Sequence, residues 1–175
     1  MKIENLIPFW KIKTKKEFEE LAWQTFIFQY QSNKIYHSFC NLVDMSPKKI
    51  SAIKNIPFLP ISFFKSKKIV SGDKAHEIIF KSSMTTGKTP SKHYISDVND
   101  YKKSFRNCFN LFYGSPKDYT ILSLLPSYID RQNSSLIYMT KDLIHLSKKN
   151  ESGFYLDKLE ILSKSLNKLE KRSQK

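Results

Sequence analysis

The sequence predicts an α/β fold, a helical amino-terminal segment followed by a mixed or partly parallel sheet with flanking helices. Three observations carry this. The first third shows apolar residues at helical spacing behind recognisable caps, the middle breaks into short strand-like runs around prolines, and the second half alternates strand and helix patterns. The chain has 175 residues, 40% of them hydrophobic and 14% aromatic. That is enough to close a core in a single domain, with a helical part over about 1–55 and an α/β part over about 56–175.

Thr14-Lys15-Lys16-Glu17 reads as a capping box, and behind it Phe18, Leu21, Ala22, Thr25 and Phe26 share one helical face. That stripe is best read as core. Asn33 caps a second helix that turns Ile35, Tyr36, Phe39 and Cys40 inward, and Ser46-Pro47 has the form of a helix start. Pro57 and Pro60 force their predecessors toward extended backbone, so Ile56–Ile61 is not helix interior. Strand-like runs follow at Ile61–Phe64, Ile69-Val70 and Ile78–Phe80. Asp97 caps a helix striped by Tyr101, Phe105, Cys108, Phe109 and Phe112, ending near Gly114. Tyr119–Leu125 is almost continuously apolar, as a strand buried on both faces would be, and Pro126 ends it. A helix bearing Leu136, Ile137, Met139, Leu143 and Ile144 follows, then a last one striped by Leu159, Leu162, Leu166 and Leu169.

Charge and composition narrow the function classes. The net charge is +14, yet arginine occurs only at Arg106, Arg131 and Arg172 and the lysines are scattered singly or in pairs. Arginine is the better reader of bases and phosphates, so a solvated basic surface is expected and no specific nucleic-acid binding. No stretch approaches the ~20 apolar residues of a membrane helix, and the amino terminus lacks a signal peptide, so a cytoplasmic protein is expected. Cys40 and Cys108 lie far apart within apolar helical patterns, without the ligand spacing of a metal site, and read as small buried hydrophobes.

The segment with chemistry in it is Ser82-Ser83-Met84-Thr85-Thr86-Gly87-Lys88-Thr89-Pro90. A strand feeds a loop of hydroxyls, one glycine and a lysine, a donor set suited to phosphate oxygens. Composition alone leaves a solvent-exposed turn equally open. Residues 82–89 also fall one substitution short of a Walker A loop. In that motif, though, a helix starts at the lysine and threonine, whereas Pro90 pushes Thr89 toward extended backbone and Ser91–Ile95 reads as a strand.

The same loop matches the S-S-G-T-T-G-x-x-P phosphate signature of adenylate-forming enzymes, with Met84 where the signature has its first glycine. With Ile56–Lys65, Leu124–Arg131, Ser134–Met139 and Ser152–Leu156 in the same order, the chain resembles the acyl-protein synthetase family, whose best-known member serves the fatty-acid reductase complex of bacterial bioluminescence. The resemblance spans nearly the whole chain. It implies ATP-dependent activation of a carboxylic or fatty acid as an acyl-adenylate, transfer to a protein thiol, and ATP with Mg2+ as cofactors. It assigns Ser82, Ser83, Thr85, Thr86, Gly87 and Lys88 to the triphosphate, and leaves His93 and Arg131 as weaker catalytic candidates. His93 reads more readily as a hydrogen-bonded strand histidine, and Arg131 equally as a salt-bridge partner of Asp130 or another acid. The resemblance also implies an incomplete adenylate-forming domain, the amino-terminal half only. A separate carboxy-terminal half, or an acyl-acceptor or reductase protein, is then the expected partner; the alternative is a catalytically inactive fragment or binding module. If the family glycine takes a positive φ, Met84 costs about 1 kcal/mol or more there.

Overall fold

The computed structural model describes residues 8–83, 89–126 and 133–172. Contacts divide the chain into two units, Met1–Ile79 with Met84–Ser96, and Phe80–Ser83 with Asp97–Lys175. Helices and short strands alternate through them, a mixed α/β architecture.

The first unit is built on α1 (Lys15–Ser32) and α2 (Lys34–Leu42). The Thr14 capping box forms in full: the Thr14 hydroxyl accepts from the Glu17 N–H at 3.2 Å and the Glu17 carboxylate accepts from the Thr14 N–H at 2.9 Å. Asn33 ends α1 and starts α2, its side chain accepting from the Tyr36 N–H at 3.1 Å. Phe26, Tyr36, Cys40 and Ile50 form the buried core, with Trp23, Tyr30, Phe39, Ile56 and Leu59 against it. The Tyr36 hydroxyl donates to the Pro57 carbonyl at 2.6 Å, which ties the proline-rich segment to α2.

Three expected elements are replaced here, and one of them, Ile69-Val70, runs as irregular chain rather than as a strand. Ser46-Pro47 opens a single turn, with Lys49 and Ile50 N–H groups on the Ser46 carbonyl. The run Ile61–Phe64 is not a strand: Pro60 and Ile61 carbonyls accept from Phe63 and Phe64 at 3.0 and 3.1 Å, winding one helical turn, α3 (Phe63–Ser66). Proline at the head of a turn is pre-set for that geometry. Strand β1 (Ile78–Lys81) pairs with β2 (Lys92–Ile95), and the Glu77 N–H donates to the Ile95 carbonyl at 2.8 Å, setting the start of β1 against the end of β2 as in a hairpin.

In the second unit, Asp97 caps α4 (Val98–Tyr113), accepting from Asn99 and Asp100 N–H groups, and Gly114 at φ 79° ends it in a conformation glycine adopts freely. Strand β3 (Leu122–Ser123), helix α5 (Ser135–Ser147) and strand β4 (Gly153–Phe154) follow, the strands paired in parallel with Leu122 opposite Gly153 and Ser123 opposite Phe154. The partly parallel sheet is therefore present, but much shorter than the apolar run Tyr119–Leu125 suggests. The Ile121 N–H bonds the Ser152 hydroxyl at 2.9 Å and the Tyr119 carbonyl accepts from the Ser147 hydroxyl at 2.7 Å, so side chains take over from the ladder on that side. Phe80, Tyr101, Phe105 and Tyr138 stack edge to face or tilted at 4.9–6.1 Å. Arg106 of α4 grips Asp142 of α5 with two hydrogen bonds of 2.7 and 2.6 Å. Helix α6 (Leu159–Lys171) is held by Glu151, which pairs with Lys168 at 2.6 Å and Arg172 at 3.2 Å. Leu159, Ile161 and Leu166 remain exposed along it.

Candidate functional site

Residues 82–91 lie in the chain between β1 and β2. At their start the Lys81 N–H donates to the Asn133 carbonyl at 2.8 Å, fixing the last residue of β1. Ser82 and Ser83 leave that strand end exposed to solvent. Thr85, Thr86, Gly87 and Lys88 lie outside the described residues, as do Met84 and Arg131. After Thr89 and Pro90 the chain enters β2 directly. A strand, not a helix, leaves the loop, so the geometry of a Walker A loop is not met.

His93 lies on β2 at the surface, its ring edge-on to Phe64 of α3 at 6.2 Å. The partial desolvation this brings holds its pKa below the ordinary value of 6.5, so the imidazole is mainly neutral at neutral pH. Tyr94, the next residue, is flanked by His76 at 5.2 Å and carries the Lys68 ammonium 5.5 Å above its ring. Ser134 caps α5, its hydroxyl accepting from the Ile137 N–H at 3.4 Å.

Sequence reasoning missed a cavity of about 810 Å³ inside the first unit. Its walls are the apolar face of α1, the proline-rich segment Ile56–Leu59, Phe64 of α3, Ile69-Val70, and His93 and Tyr94 of β2. Of the α1 stripe expected to be core, only Phe26 is buried; Leu21 and Ala22 line the cavity half-buried, and Phe18 is 56% exposed. A stripe of apolar residues marks an apolar face, not what fills the space in front of it.

The cysteines part company. Cys40 is fully buried, and burial pushes its thiol pKa up, whereas Cys108 is exposed on α4 and not the buried hydrophobe its stripe suggested. Among the described residues no group of three or more His, Cys, Asp or Glu side chains could hold a metal ion, and no helix is long and apolar enough to cross a membrane.

The family model for the acyl-protein synthetases, LuxE, matches residues 9–171. The chain belongs to the LuxE acyl-protein synthetase family. Among curated proteins and among solved structures, nothing matches it. LuxE membership implies activation of an acyl group and its transfer to a protein thiol. The LuxE match runs through both units and takes in the hairpin loop, β2 and the cavity walls alike.

Proposed function

We propose that this chain holds ATP on the loop Ser82–Lys88 and takes part in activating a carboxylic acid as an acyl-adenylate, with later transfer of the acyl group to a protein thiol. One observation supports the loop assignment above its rivals: a donor-rich loop lies between paired strands in a chain that belongs to an acyl-protein synthetase family. Ser82 and Ser83 present hydroxyls at the strand end. Thr85 and Thr86 add two more, Gly87 allows close backbone approach, and Lys88 supplies charge.

In the reaction, a carboxylate oxygen attacks the α-phosphorus of ATP, the bond from that phosphorus to the bridging oxygen breaks, and pyrophosphate leaves. A thiolate sulfur then attacks the acyl carbon and AMP departs, leaving a thioester. Mg2+ brought in on the triphosphate would offset its charge, and in such sites the phosphates and water supply most of its ligands. The thiol is not that of Cys40, whose buried sulfur cannot reach an acyl donor.

The test is acid-dependent ATP–pyrophosphate exchange together with calorimetric ATP binding. Thr86→Ala with Gly87→Ala should abolish both, and Met84→Gly should tighten ATP binding by about 5-fold or more if the loop takes a positive φ there. Exchange that is indifferent to the loop substitutions would refute the assignment. Binding seen only in Met84→Gly would mean that the wild-type loop is inherited but disabled.

A further inference from the structure

The first-unit cavity is lined mostly by apolar side chains. Its volume of about 810 Å³ lies within the range of small-molecule sites, roughly 300–1,000 Å³. It is a cleft partly open to solvent, and its apolar lining atoms, with no protein atoms opposite them, forgo dispersion contacts. An apolar space of this kind has little to offer water and much to offer a hydrocarbon. Its polar lining is sparse and partly occupied with itself: Gln29 accepts from both Asn33 at 3.1 Å and Ser71 at 2.7 Å. The nitrogen-bearing groups Lys74 and His93 also line it. His93 belongs to β2, the strand that leaves the candidate phosphate loop, so one short strand serves both the loop and the cavity wall.

We propose that this cavity receives the hydrocarbon chain of the carboxylic acid, that the α1 face Leu21, Ala22 and Thr25 sets how long a chain fits, and that the carboxylate lies toward His93. The placement of the carboxylate rests on the acyl-activation reading; the seating of the chain does not. Ala22 is the determinant with most leverage. It is the smallest side chain on that face, flanked by Leu21 and Thr25, and any larger residue there takes volume directly from the cavity.

The experiment uses the full 175-residue chain without ATP, titrating saturated acids from butanoate to hexadecanoate against a fluorescent fatty-acid probe. Affinity should rise by about 4-fold per added methylene until the cavity is full, then level off. Ala22→Phe should move that plateau to shorter acids and weaken the longest by about 10-fold or more, with short acids unaffected. Thr25→Leu, a milder filling, should shift it the same way and stands in if Ala22→Phe fails to give a cooperative melt. An affinity independent of chain length, or a plateau unmoved by both substitutions, overturns the proposal. An alkanol that binds as tightly as the acid of equal length overturns the placement of the carboxylate. Since nucleotide is absent, chain binding and acid-dependent pyrophosphate exchange fail separately: loss of exchange alone counts against acyl activation, loss of chain binding alone against the cavity.

Discussion

Tyr36→Phe removes one oxygen atom and, chiefly, its hydrogen bond to the Pro57 carbonyl. Tyr36 is 8% exposed, with its ring edge-on to Phe26 at 6.2 Å and near Phe39 at 6.4 Å, and phenylalanine keeps all of that packing. The bond from the hydroxyl to the Pro57 carbonyl disappears, and with it the hydroxyl's weaker contact with the Cys40 thiol. A net hydrogen bond contributes about 1 kcal/mol, and an acceptor left shielded from water costs about 1–3 kcal/mol. Pro57 is half-buried, so water reaches its carbonyl in part and the sum should fall at about 1–2 kcal/mol. For a chain of this size that is about 2–8 °C in melting temperature. Both tryptophans, Trp10 and Trp23, belong to the first unit, so urea unfolding followed by tryptophan fluorescence reports on the unit that holds the bond. Tyr36→Ala, which also empties the ring's place, should cost about 3–5 kcal/mol. A Tyr36→Phe loss below about 0.3 kcal/mol, or one equal to that of Tyr36→Ala, would refute the claim that this bond ties the cavity wall to α2.

The ion pair between α4 and α5 should be sensitive to shape as well as charge. Arg106→Lys keeps the charge but not the two-pronged grip on Asp142, whose side chain is only 12% exposed, and should cost about 1–2 kcal/mol in a urea melt, with Arg106→Ala costing more because it leaves the carboxylate unpaired. Glu151 has its pKa lowered, first by its hydrogen bond with Lys168, so its contribution is present above the ordinary value of 4.5 and is lost as pH falls through the lower folded value; Glu151→Gln should flatten the stability curve in that acid range, seen as a smaller drop in melting temperature below pH 4.5. Iodoacetamide should modify Cys108 in the native protein and reach Cys40 only on unfolding, which peptide mass mapping would read directly.

The elements that were legible in the sequence are those fixed by neighbours a few residues away. Thr14 with Glu17, Asn33, Asp97 and Gly114 each act within one helical turn, and each is found where the sequence puts it. Strand length was not legible, because a ladder depends on what lies beside it. Tyr119–Leu125 has the composition of a buried strand, but only Leu122 and Ser123 find a partner, and Ser147 and Ser152 claim the backbone before them. The Cys108 stripe failed for a related reason: α4 leaves Leu111, Phe112 and Tyr113 at 80, 73 and 61% exposure, so an apolar residue on it is not thereby buried. For the candidate site, the donor-rich loop and the strand after it could be read from Pro90 onward, since proline acts locally. The cavity could not, because it is assembled from segments as far apart as Leu21 and His93.

The strand after the loop separates the chemistries the loop could support. A loop that opens a helix gathers phosphate by the helix amino terminus, with aligned amides and the dipole behind them. Here β2 begins at Lys92, so that source of positive potential is absent at the loop exit and the hydroxyls, Gly87 and Lys88 would have to supply the contacts themselves. His93 and Tyr94 follow within the same strand and line the apolar cavity. A carboxylate whose chain entered that cavity would lie by His93, five residues after Lys88 in the chain. Loosening the cavity should therefore lower exchange at subsaturating acid, with calorimetric ATP binding unchanged.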